Sequence, residues 1–200
     1  MKVLILAGGL GTRISEESHL KPKPMIEIGE MPILWHIMKY YSSYGFHEFI
    51  ILAGYKQYLI KEYFANYFLH NADITFDMSN NQMEVHQNAS ENWKVTVVDT
   101  GLRTMTGGRI RRVRSYLKGE RFMLTYGDGV SDVDLRKLLA FHESAGKTAT
   151  ITTVNLAQQK GVLDLSSDGR IRAFREKEES DGAVINGGFM VFEPGIFDYL

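Results

Sequence analysis

The chain has 200 residues, of which 44% are apolar and 24% charged, with a formal net charge of −1 and no cysteine. That is enough apolar material for one sizeable domain with a real core, while the balanced charge excludes a general attraction to nucleic acid or an anionic membrane and the missing thiols exclude disulfides, thiolate metal sites and a cysteine nucleophile. No apolar run is long enough to cross a membrane and the first glycines come too early for a signal h-region, so the expectation is a soluble, cytoplasmic protein.

Val3–Ala7 is a short apolar run bounded by glycines and reads as a buried strand. Gly8-Gly9-Leu10-Gly11-Thr12-Arg13 follows, and then Lys21-Pro22-Lys23-Pro24-Met25. Closely spaced glycines let the backbone turn tightly and approach a ligand. Successive N–H groups in such a loop form a nest for phosphate oxygens, and Arg13, Lys21 and Lys23 add positive charge nearby. A plain turn after a strand is the competing reading. A Walker loop needs Gly-Lys-Ser/Thr at its close, which Gly11-Thr12-Arg13 does not supply. The dinucleotide fingerprint counted from Gly9 puts Ile14 where its third glycine belongs.

Pro32 suits the first position of a helix carrying Ile33, Ile37, Tyr40, Tyr41 and Tyr44, with Gly45 as its stop. Glu48–Ala53 reads as a second buried strand and Gln57–Leu69 as an aromatic-rich helix, the rhythm of a doubly wound parallel sheet. Residues 71–92 read as an excursion or small hairpin, with Ile74–Phe76 as one strand. Val95–Val98 is a clearer strand. Asp99-Thr100-Gly101 spells the aspartic-protease triplet, but no second copy exists to complete a dyad, so Asp99 is read as a strand-end residue.

Thr106 is a candidate N-cap for a basic amphipathic helix with Ile110, Val113 and Leu117 on one face. Arg111, Arg112 and Arg114 read as its solvated face. Arg109 sits in the first turn, where the helix dipole disfavours a cation, which points to an anionic or polar ligand. Phe122–Thr125 is a strand ending in Tyr126-Gly127-Asp128-Gly129. Asp128 alone could belong to an ordinary Asp-Gly turn. At the same sheet edge as a phosphate loop it becomes a candidate ligand for Mg2+, which takes one or two carboxylates plus phosphate oxygens.

Leu135–Ser144 reads as a helix capped by Asp132 or Asp134 and ended by Gly146, and Thr148–Val154 as a strand. Val162–Leu165 and Ile171–Phe174 flank Ser166-Ser167-Asp168-Gly169, a hairpin signal. A charged run from Arg175 to Glu179 precedes the segment Ala183–Phe192, and Glu193–Leu200 begins a helix that stops after about one turn. The expectation is a single domain over residues 1–200 that lacks its C-terminal part.

Gly-Gly-x-Gly-Thr-Arg followed by Pro-Lys-Pro-Met resembles the signature of the sugar nucleotidyltransferases. Ile33–Met38, Glu62–Phe68, Met105–Arg109 and Thr125–Gly129 resemble the cytidylyl-transferring branch of that family. The resemblance implies a Rossmann-like α/β fold with a mixed, mainly parallel sheet flanked by helices. It also implies transfer of a cytidylyl group from CTP to glucose 1-phosphate with Mg2+, for nucleotide-sugar and polysaccharide biosynthesis, by a homo-oligomer when full length.

Carried over by position, Arg13, Lys23 and Asp128 are the implied catalytic residues, with Asp128 also on the metal. The nucleotide falls to Leu6, Ala7, Gly8, Gly9, Leu10, Gly11, Thr12, Arg13 and Lys23, joined by Thr104, Arg109 and Gly127. The sugar falls to Tyr126, Glu176, Lys177, Asn186 and Gly187. The family pattern has proline after Glu-Lys, where this chain has Glu178. Two other readings stay open: the same chemistry with another NTP or sugar phosphate, and a non-catalytic sugar-nucleotide-binding domain.

Overall fold

The computed structural model describes residues 1–9, 21–88, 90–156, 162–166, 171–175 and 183–200. The chain opens with β1 (Lys2–Ala7). A 3-10 turn at Lys23–Met25 leads to the short pair β2 (Glu27–Ile28) and β3 (Met31–Pro32). Next come α1 (Ile33–Ser43), β4 (Glu48–Ala53), α2 (Gln57–Ala65), α3 (Tyr67–His70), and the hairpin β5 (Ala72–Asp77) with β6 (Gln82–Asn88). β7 (Lys94–Asp99), α4 (Thr106–Arg112), α5 (Arg114–Leu117), β8 (Phe122–Tyr126) and α6 (Leu135–Ala145) follow. The remaining strands are β9 (Ala149–Leu156), β10 (Val162–Leu165), β11 (Ile171–Arg175) and β12 (Ala183–Phe192), before a closing 3-10 helix at Pro194–Asp198.

The main sheet has the order β7-β4-β1-β8-β12-β9. β1 pairs in parallel with β4 and with β8, β4 pairs in parallel with β7, and β12 runs antiparallel to β8. This is the mixed, mainly parallel sheet flanked by helices that the sequence implies. Strands covered on both faces are apolar at successive positions, and Val3, Leu4 and Ile5 are all fully buried. Val3 and Ile5 face α1, packing with Leu34, Ile37, Met38 and Tyr41. Leu4 faces the other way, toward Ile110, Val113 and Leu117 of α4 and α5. The three apolar positions expected on one helix face thus form the second half of the core.

Two compact units emerge, Met1–Thr150 with Phe189–Leu200, and Ile151–Gly188. In the second, β10 and β11 form the antiparallel pair expected there. The turn residues expected between them, 167–169, lie outside the described residues.

Several local expectations are corrected. Pro32 is the residue before α1, extended at φ −65 and ψ 152, rather than its first helical residue. The aromatic helix breaks at Asn66, whose backbone N–H and side-chain Nδ2 both donate to the carbonyl of Glu62, each at 3.0 Å. That side-chain competition for a helix carbonyl is how asparagine ends helices. Thr106 does not cap α4: Met105 holds the cap position and no side chain caps it. Asp134, not Asp132, caps α6, accepting from the amides of Arg136 and Lys137. The short closing helix forms as expected, as a 3-10 helix over Pro194–Asp198.

Candidate active site

Parallel strands bring their carboxyl ends to one edge, where open α/β sheets bind ligands. Here that edge gathers Gly8 after β1, Gly54 after β4, Thr100 and Gly101 after β7, and Gly127 after β8. The Gly127 amide donates to the Leu6 carbonyl at 2.9 Å. A Cβ on Gly127 would stand 2.7 Å from that same oxygen, so only glycine fits between the two strand ends.

A pocket of about 270 Å3 opens at this edge. Leu6, Ala7, Gly8 and Gly9 form one wall, and Thr104, Met105, Thr106 and Arg109 another, with Lys23, Pro24, Tyr126 and Asp128 completing it. Lys23 is delivered by the 3-10 turn. Pro22 enters that turn at φ −65 and ψ 145, and its carbonyl accepts the Met25 amide at 2.8 Å. The Lys23 ammonium stands 3.7 Å from the Asp128 carboxylate; the two side chains are 18% and 48% exposed. Lys21, expected to add charge near the loop, instead pairs with Glu27 at 2.5 Å and lines a different groove.

Arg109 reaches the site from α4 and is only 6% exposed. Its Nη1 donates to Thr100 Oγ1 and the Gly101 carbonyl, both at 2.7 Å, and to the Ala53 carbonyl at 3.3 Å. Its Nη2 donates to the carbonyls of Gly8 at 2.9 Å and Leu102 at 3.3 Å. Burial, reinforced by Arg112, draws this guanidinium below its usual range. The placement pointed to an anionic or polar ligand; the terminal nitrogens are instead taken up by acceptors within the chain. Arg112, read as solvated, is exposed but also donates to the Thr100 carbonyl at 2.8 Å. Asp99 is a strand-end residue as expected: its carboxylate accepts the Gly101 amide at 2.8 Å, which leads the effects that hold it below the usual carboxylate range.

Nine of the residues assigned by resemblance thus share one pocket: Leu6, Ala7, Gly8, Gly9, Lys23, Thr104, Arg109, Tyr126 and Asp128. Gly127 lies behind them, against Leu6 and Pro24. Leu10, Gly11, Thr12, Arg13, Glu176 and Lys177 lie outside the described residues. Asn186 and Gly187 belong to the second unit, where Asn186 Oδ1 accepts the Gly188 amide at 2.9 Å. Sequence reasoning missed Pro24, Met105 and Thr106 as pocket wall. A signal existed for Met105: a large apolar residue opening a helix between two threonines, and it is 81% exposed.

Among the described residues Asp128 is the one carboxylate lining the pocket. Among the described residues no group of three or more metal-ligating side chains occurs. A single carboxylate beside an ammonium fits a hard cation that takes its other ligands from phosphate oxygens and water, as Mg2+ does.

Residues 2–200 match the family model described as nucleotidyl transferase, and the chain belongs to that family. It is 56% identical to the glucose-1-phosphate cytidylyltransferase of Salmonella typhi, covering all of this chain and 78% of that protein. It is 46% identical to a probable glucose-1-phosphate cytidylyltransferase of Bacillus subtilis, again over all of this chain and 78% of the relative. Among solved structures, HddC from Yersinia pseudotuberculosis superposes with a TM-score of 0.65 at 26% identity, covering all of this chain and 79% of HddC. A UDP-glucose pyrophosphorylase from Acinetobacter baumannii gives 0.67 at 18% identity, over all of this chain and 76% of that one, a likeness of fold alone.

Proposed function

We propose that this chain transfers a cytidylyl group from CTP to glucose 1-phosphate, giving CDP-glucose and pyrophosphate. The observation that carries the reading is the placement of Lys23 and Asp128 together in a pocket walled by Gly8 and Gly9, just past the end of β1. The 56% identity to the Salmonella typhi cytidylyltransferase supports the choice of base and sugar.

A sugar phosphate oxygen attacks the α-phosphorus of CTP and the pyrophosphate leaves in line. Such a step needs positioning and charge neutralisation more than covalent help. Backbone amides of the turn beginning at Gly8, with Arg13, hold the β- and γ-phosphates. Lys23 places its ammonium beside the phosphate under attack, and the rigid turn that carries it preorganises that charge. Asp128 is the residue that would hold Mg2+, which when bound supplies charge neutralisation at the phosphates. Thr104 and Gly127 complete the nucleotide contacts. Tyr126, Glu176, Lys177, Asn186 and Gly187 are the proposed sugar contacts. The working protein is proposed to be a cytoplasmic homo-oligomer with further C-terminal residues.

The test is pyrophosphate release from glucose 1-phosphate with each of the four NTPs, on this chain and on a C-terminally extended one. CTP is expected to give the fastest release. Faster release with UTP, GTP or ATP would overturn the base assignment. Tight CTP binding without release in the extended protein would make the site a binding domain.

A further inference from the structure

Arg109 lies in the pocket wall but turns its donors inward. A guanidinium has five N–H donors in a fixed plane. Nη1 is committed to Thr100 Oγ1 and the carbonyls of Ala53 and Gly101, and Nη2 to the carbonyls of Gly8 and Leu102. That leaves at most the Nε–H for anything bound in the pocket. The acceptors belong to the last residue of β4, the residue after β1 and the segment after β7. One side chain from α4 therefore joins three parallel strands where they end.

The backbone is shaped to this guanidinium. A Cβ on Gly8 would stand 2.0 Å from Nη1 and 2.4 Å from Cζ, and one on Gly54 would stand 2.7 Å from Nη1. Nothing at the far end of this side chain can swing away cheaply, because its terminal nitrogens are all held. The acceptors are neutral, and among the described residues Arg109 forms no salt bridge; carbonyl and hydroxyl dipoles surround its charge, and Asp99 acts on it only from a distance.

We infer that Arg109 is a positioning residue, which sets the Gly8–Gly9 backbone for the nucleotide by tying the Gly8 carbonyl to the ends of β4 and β7, and that its terminal nitrogens are not phosphate contacts. The inference rests on the reading of that backbone as the nucleotide site. Lysine keeps the charge but offers three donors from one point. It cannot span oxygens on three strand ends. A point-charge contact to a phosphate would largely survive Arg109→Lys, whereas a tie would not.

The experiment is CTP titration by calorimetry on the wild type, Gly8→Ala, Arg109→Ala, Arg109→Lys and the Gly8→Ala/Arg109→Ala double variant, each checked for cooperative thermal unfolding. Gly8→Ala is expected to weaken CTP binding about tenfold in the wild type and less than about threefold once Arg109 is alanine, the non-additivity of groups in contact. Arg109→Lys is expected to lose as much affinity as Arg109→Ala. Losses that simply multiply in the double variant, or CTP affinity retained in Arg109→Lys, would overturn the inference. Should Arg109→Ala not fold, Arg109→Lys against Gly8→Ala decides: matching losses support the tie and retention by lysine overturns it. A wild type that binds no CTP overturns the nucleotide reading and the inference with it, while CTP binding with multiplying losses overturns the inference alone.

Discussion

Lys23 and Asp128 face each other at 3.7 Å, one on a proline-bounded turn and the other just past the end of β8. That separation is too long for a direct hydrogen bond. It is short enough for each charge to steady the other before a ligand arrives. Neither group is spent on the other, so both stay available to a phosphate and its cation.

Lys23→Ala should lower turnover by about a thousandfold, the scale for removing a preorganised donor from a developing charge. The thermal midpoint should move little, because Lys23 lines the pocket and belongs to neither core cluster. Steady-state kinetics on the extended protein decides the matter, and near-normal turnover would remove Lys23 from the mechanism.

Asp128→Asn keeps the shape and removes the charge. It should lower kcat and weaken the dependence of rate on magnesium concentration. A magnesium titration curve matching the wild type would refute the metal role.

The caps of α6 and α4 make a matched pair. Asp134 accepts from the Arg136 and Lys137 amides at 3.0 and 3.2 Å, so Asp134→Ala should cost about 1 kcal/mol in urea unfolding. Thr106→Ala should be close to neutral, since no side chain caps α4. Equal losses at the two positions would contradict this assignment of caps.

The tip of the β5–β6 hairpin should be acid-sensitive in a defined window. Hydrogen bonds from the Ser79 hydroxyl and the Asn80 side chain, with the backbone of both residues, draw the Asp77 carboxyl from its ordinary 3.8 down to about 2. A depressed folded-state value means the contribution is complete above the ordinary value and is lost as pH falls from there toward about 2. Carboxyl titration by NMR should report a midpoint near the lower value. A midpoint near 3.8 would show the turn is not formed in solution.

The parallel core was legible because strands buried on both faces read as unbroken apolar runs. β1, β4 and β8 each announce themselves this way and are followed directly by a glycine. The meeting of Lys23 with Asp128 was legible only as a shared sheet edge, since their separation in sequence carries no distance. The partners of Arg109 were not legible at all. They lie on Gly8, Ala53 and the segment after β7, and only the strand order makes these neighbours. The break at Asn66 was hidden for a different reason: the apolar pattern runs on through Leu69, and the side-chain bond from Asn66 to the Glu62 carbonyl leaves no mark on that pattern. Lys21 misled because charge was counted by proximity in sequence, whereas Glu27 six residues on takes it up.

β8 pairs with β1 on one side and with Met190–Phe192 of β12 on the other. During synthesis the first neighbour is ready long before the second. A nascent chain that has reached α6 can assemble β7, β4, β1 and β8, yet Phe122, Met123 and Leu124 remain an apolar open edge awaiting a strand not yet made. Such edges recruit other chains. The vulnerable moment of this protein therefore falls between translation of Tyr126 and of Met190, and slowing the ribosome in that interval should raise the insoluble fraction of newly made chains without altering the stability of those that finish.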